Sequence, residues 1–222
     1  MSRLPVCSFA GLCLLVCGAA RVDAGMITVL NFSFESPVQA NLGGFTNTAP
    51  DDWTMMGSGG VFKPVPGFEV VAVPDGSQVG WLNGGGSFFQ DLGVAVSSSN
   101  TYQLDLFVGT QLDNSNLTDS YRVDLVAGGP SGTVIAEASG TLLAKSDFIP
   151  VSIAGVGAGT GNLGVLISAT GGQPLYDDVR VQSTVTGTFV PEPSTLVIWS
   201  LVAAIFGSVQ PLARLRRPQL PV

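Results

Sequence analysis

The clearest order in this 222-residue chain is a two-residue alternation of apolar and other positions. Tyr102, Leu104, Leu106 and Val108 alternate with Gln103, Asp105 and Phe107. Tyr121, Val123 and Leu125 alternate with Arg122 and Asp124; Leu163, Val165 and Ile167 alternate with Gly164 and Ser168. Successive side chains of a strand point to opposite faces, so each run predicts a strand with one face on a core. Turn-forming clusters separate the runs: Asn41-Leu-Gly-Gly44, Pro74-Asp-Gly76, Asn83-Gly-Gly-Gly86, Gly128-Gly-Pro130 and Gly171-Gly172. No stretch before residue 195 carries a helical stripe. Many short strands with glycine-rich turns predict an all-β fold, a jelly-roll β-sandwich. A parallel β-α-β architecture is excluded, because the crossover helices are missing.

The two ends follow a different pattern. Met1-Ser-Arg3 is a positive start, Val6 to Ala20 is a short apolar core, and Val22-Asp-Ala24 puts small residues at −3 and −1 of a cleavage site. This reads as a signal peptide over 1–24, helical at its core and cut after Ala24. At the other end, an apolar run from Thr195 to Ala213 is followed by Arg214, Arg216 and Arg217. About twenty apolar residues cross a hydrocarbon core of about 30 Å as a helix, and cations directly after it stay cytoplasmic. The expected organisation is therefore a signal peptide (1–24), a β-sandwich domain (25–182), a Thr/Ser/Pro-rich linker (183–194), a transmembrane helix (195–213) and a basic cytoplasmic tail (214–222).

The linker carries Pro191-Glu192-Pro193, directly before the apolar run and the arginines. That order resembles the PEP-CTERM sorting tail of bacteria that make exopolysaccharide. The resemblance implies recognition by an exosortase, anchoring through the C-terminal helix before processing, and a final place at the cell surface or outside the cell.

Charge and residue types narrow the chemistry. Between residues 25 and 189 there are fourteen acids and four bases (Lys63, Arg122, Lys145, Arg180), a balance of about −10. Phosphate backbones need the opposite sign, so nucleic acid is not a partner. The chain has no histidine, and its three cysteines, Cys7, Cys13 and Cys17, all lie in the signal peptide. Imidazole- and thiolate-based catalysis is thereby excluded from the domain, as are zinc, copper and haem sites built on those ligands. An exported domain without disulfides relies on its core or on a bound ion. Oxygen chemistry remains, and oxygen ligands suit Ca²⁺.

Two segments stand out for that role. Asn31-Phe-Ser-Phe-Glu-Ser-Pro37 opens the domain, with Phe32 and Phe34 facing inward and Glu35 the other way. Tyr176-Asp-Asp-Val-Arg-Val181 closes it, with Asp177 and Asp178 expected on opposite faces. If the ends of the sandwich pair, Glu35 and one of these aspartates meet around an ion. These segments, with Trp53, Pro74-Asp-Gly-Ser-Gln-Val-Gly-Trp81, Gln90-Asp-Leu92, Tyr102-Gln-Leu-Asp-Leu106 and Tyr121-Arg-Val-Asp-Leu-Val-Ala-Gly-Gly129, occur in an order similar to the hapalindole-type (Stig) cyclase-like domain. The resemblance implies a calcium-binding jelly roll related to carbohydrate-binding modules. It assigns Glu35 and Asp177, with Asn31 in the same opening motif, to calcium. The founding members cyclise indole alkaloids by protonation from an acidic residue; Asp178 is the acid left for that role here, and Arg180 two residues on argues for solvent beside it.

Among the aromatics, Trp53, Trp81 and Phe88 are the candidate ligand contacts. Phe88 and Phe89 are neighbours on one strand, so one of them faces out. The expected function is an exported, exosortase-sorted surface or extracellular-matrix protein with a calcium-stabilised sandwich that binds exopolysaccharide. The alternative is a carboxylate-driven cyclase-like enzyme.

Overall fold

The computed structural model describes residues 24–113 and 118–185, and Val202 beyond them. The signal segment before Ala24, the Pro191–Pro193 box, the expected spanning helix and the basic tail lie outside the described residues, Val202 apart. Among the described residues no helix is long and apolar enough to cross a membrane.

The described chain is all-β. Its strands are β1 (Ala24–Ile27), β2 (Gly44–Phe45), β3 (Thr54–Met56), β4 (Gly59–Lys63), β5 (Val79–Leu82), β6 (Ser87–Ala95), β7 (Asn100–Gly109), β8 (Asp119–Ala127), β9 (Thr133–Leu142), β10 (Ile149–Val156), β11 (Asn162–Gly171) and β12 (Leu175–Val185). One sheet runs β10-β7-β12-β5-β4-β2, with β1 also paired to β12; the other runs β3-β6-β11-β8-β9. Pairing between these strands is antiparallel, as in a jelly-roll sandwich.

The alternating runs form the strands they predict. Leu104 and Leu106 of β7, Val123 and Leu125 of β8, and Leu163, Val165 and Ile167 of β11 are all buried in one core between the sheets. Each large aliphatic side chain buried there contributes roughly 1.5–3 kcal/mol. The opening segment plugs one end of that core. Phe34 is fully buried and stacks on Trp53, with ring centroids 5.3 Å apart. Gly80 makes room for it: a Cβ there would lie 2.9 Å from the Phe34 ring.

A second, smaller cluster lies on the other face of the larger sheet. Leu82 and Tyr176 belong to the main core, whereas their neighbours Trp81 and Leu175 pack with Phe62, Val70 and Val79. The segment between β4 and β5 covers this face, with Val70 buried and Val73 packed against the cluster.

The structure departs from the expected alternation at Asp177 and Asp178. Strict alternation puts Asp177 and Asp178 on opposite faces, but β12 bulges between Asp177 and Arg180, and Asp178 is left-handed (φ 52°). Tyr176 and Val179 both reach the main core, so the two aspartates share the interval between inward side chains.

Candidate functional site

The two carboxylates expected at an ion converge on one loop. Glu35 Oε1 accepts hydrogen bonds from the backbone N–H of Ser77 (2.5 Å) and Gln78 (2.7 Å), and its Oε2 from the Ser77 hydroxyl (3.0 Å). Asp177 Oδ2 accepts from the N–H of Asp75 (2.8 Å), and its Oδ1 from the N–H of Asp178 (2.7 Å). Residues 75–78 are thus tied at one end to β12 and at the other to the opening segment. Gly76 sits between the ties at φ +68°, where a Cβ would run into the Glu35 carboxylate.

Asp177 has no solvent exposure. Burial pushes its carboxyl up to about 8, against the downward pull of the two N–H groups. Charge is therefore costly at Asp177 unless a cation compensates it. Glu35 and Asp177 offer the all-oxygen donors that Ca²⁺ takes. Among the described residues no three or more of His, Cys, Asp and Glu gather as a metal cluster, so further ligands would be hydroxyl, amide or backbone carbonyl oxygens or water.

Asn31 is used differently. Its amide donates to the carbonyls of Ser36 (2.7 Å) and Asp51 (2.9 Å), and its Oδ1 accepts from the Ser36 N–H (3.1 Å). It staples the opening turn to the segment before β3. Gln78, which the sequence did not single out, staples the other side. It is buried, donates to the carbonyls of Phe34 (3.1 Å) and Pro37 (3.3 Å), and accepts from the Gln39 N–H. Nothing in its spacing marks that role.

The alternative acid, Asp178, pairs with Arg180, whose Nε donates to Asp178 Oδ1 at 2.6 Å. The guanidinium also lies 5.1 Å over the Phe32 ring. Arg180 lines a largely apolar pocket of about 210 Å³ with Met26, Ile27, Val29, Phe32 and Val179.

The candidate ligand aromatics separate. Phe88 is fully buried against Phe34 and Trp53, so the outward member of the pair is Phe89, which lies over Gly164. Trp53 is a core residue as well; its indole N–H donates to the Asn31 carbonyl (3.2 Å). Trp81 lines an open pocket, of about 280 Å³, with Phe45, Phe62, Gly43, Glu69, Gln111 and Gln173. Its indole N–H is held by the Thr46 carbonyl (3.1 Å). Glu69 turns one oxygen inward to the Val65 N–H (2.7 Å), which leaves the other toward Gly43 in the pocket wall.

The family model described as HpiC1 cyclase matches residues 25–182, the sandwich from β1 almost to the end of β12. The chain belongs to the HpiC1 cyclase family. Solved structures of this cyclase fold are similar. An apo cyclase from Fischerella sp. is 21% identical, with 74% of this chain and 98% of that one covered and a TM-score of 0.61. The Stig cyclase Fisc from Fischerella sp. TAU, solved with an indole compound, is 20% identical, with 74% and 100% covered and a TM-score of 0.63. A CBM22 tandem domain of Xyn10C from Paenibacillus barcinonensis is 13% identical, with 79% and 50% covered and a TM-score of 0.50. No curated protein matches by sequence. The family match ends at residue 182, before the Pro191–Pro193 box.

Proposed function

We propose that this domain is a cyclase-type enzyme that seats a ring-bearing substrate against Trp81 and Phe62 and promotes ring closure by proton transfer from a carboxyl. Family membership supports the reaction class. The observation that carries the site is the Trp81 pocket, which joins an aromatic floor to a carboxyl, Glu69, in its wall. In this reading the Glu69 carboxyl protonates an alkene of the substrate. An internal π-system then attacks the resulting carbocation, and loss of a proton to the carboxylate completes an isomerisation. Asp178 is the weaker choice of acid, because Arg180 occupies it. The test is incubation of the full chain with an indole bearing an unsaturated side chain, with products separated by chromatography. A cyclised isomer that disappears in Glu69→Gln supports the reading; no isomer from any such indole refutes it.

A second reading is an exported surface protein that binds exopolysaccharide. The tail favours it, with Pro191-Glu-Pro193, the apolar run and the arginines in sorting order. Gln111 and Gln173 in the pocket wall suit sugar hydroxyls. Under this reading an exosortase processes the tail, and Glu192→Ala leaves an unprocessed, membrane-held chain in the host; normal processing of that variant removes the reading. Both readings accommodate calcium held by Glu35 and Asp177. The ion would neutralise the buried carboxylate and fix the 75–78 loop, while Asn31 keeps the opening turn in place.

A further inference from the structure

We propose that the Trp81 pocket recognises a small organic cation, an alkylated ammonium group. This rests on the reading of that pocket as the ligand seat, and not on turnover. Phe45 and Trp81 stand at 89° to one another with centroids 6.0 Å apart, so the two rings form a corner and not a stack. Phe62, the register partner of Phe45 across β2 and β4, lines the same pocket. Glu69 lines the same pocket, and among the described ion pairs none involves it. No lysine or arginine is among the described lining residues, and the nearby Lys63 ammonium donates to the Gln39 carbonyl (3.1 Å).

Three aromatic rings with one carboxylate are the chemistry that receives a weakly hydrated cation. The ring quadrupoles attract positive charge, and the carboxylate supplies the counter-charge without demanding a directed hydrogen bond. A volume of about 280 Å³ admits a trimethylammonium group with a short tail. The acidic domain adds a favourable long-range field. A neutral group of the same shape would gain only the apolar contact. Phe45 is the adjustable wall: it is 60% exposed on a two-residue edge strand, so it can close on a ligand without opening the core.

The test is titration of the full chain with choline and with its neutral isostere, 3,3-dimethylbutan-1-ol, followed by tryptophan fluorescence and calorimetry. Choline is expected to bind about tenfold or more tightly than the isostere, and raised salt to narrow the gap. Phe45→Ala, at an exposed position, and Glu69→Gln should each weaken choline severalfold, with Glu69→Gln leaving the isostere unaffected. Equal binding of the two compounds overturns the proposal, as does no binding of choline at millimolar concentration. Choline binding with no indole turnover would leave this inference standing and remove the cyclase reading. Turnover without a preference for choline would do the reverse.

Discussion

The two apolar clusters of this sandwich are built on different principles. The inter-sheet core is closed by regular strands on both sides, and its members repeat at every second residue of β7, β8 and β11. The cluster on the outer face of the larger sheet has a sheet on one side and the irregular 64–78 segment on the other. That segment is held by polar ties: Glu35 and Asp177 at residues 75–78, and Glu69 at Val65. The first cluster is the larger; the second shares Phe62 and Trp81 with the lining of the Trp81 pocket.

Removing a side chain from each cluster sharpens the contrast. Phe34→Ala should cost roughly 3–5 kcal/mol in denaturant unfolding, because it leaves a cavity beside Trp53 and Phe88. If Phe34→Ala costs less than about 1 kcal/mol, the plug is not part of the core. Glu35→Ala acts on the other layer. It strips two backbone N–H groups and a hydroxyl of a charged acceptor, which should cost roughly 1.5–3 kcal/mol. Hydrogen exchange should rise at Ser77 and Gln78 while the β7 and β11 amides keep their protection. Uniform loss of protection would merge the two layers into one.

The inter-sheet core was legible in the sequence because a period of two survives in any strand with one buried face. The outer layer was legible only in part. Glu35 and Asp177 stood out as acids at the two ends of the domain, and they do reach the same loop. Alternation failed at Asp178, since a left-handed bulge residue costs one step of register and leaves no mark in a pattern of apolar positions. It could not tell Phe88 from Phe89 either, since both neighbours are apolar and only the sheet pairing decides which one faces the core. Glu69 and Gln78 were invisible: their roles depend on the path of a loop, which has no period to read.

Smaller effects test the surface. The Arg122–Glu137 pair, 2.5 Å apart on the outer face of the five-stranded sheet, is exposed on both sides. Glu137→Gln should change stability by less than about 1 kcal/mol, in contrast with either layer. A larger loss would mean that the ion pairs of β8 and β9 support the fold.

Asp177 couples the stability of the fold to pH. Its folded carboxyl is raised to about 8 by burial, from an unfolded value of about 3.9. The native state therefore binds the extra proton between those values, and stability is greatest at the acid end of that window and falls as pH rises toward 8. Asp119, raised by burial in the same way, adds to the slope. A calcium ion at Asp177 and Glu35 would compensate the ionised carboxylate and stabilise the native state by mass action. The decisive measurement is the melting temperature of the full chain from pH 5 to pH 9, with calcium and with excess chelator, for the native sequence and for Asp177→Asn. The predicted result is a fall with rising pH in chelator that calcium largely removes, and a shallower profile indifferent to calcium in Asp177→Asn. Superimposable profiles with and without calcium in the native sequence would contradict the account.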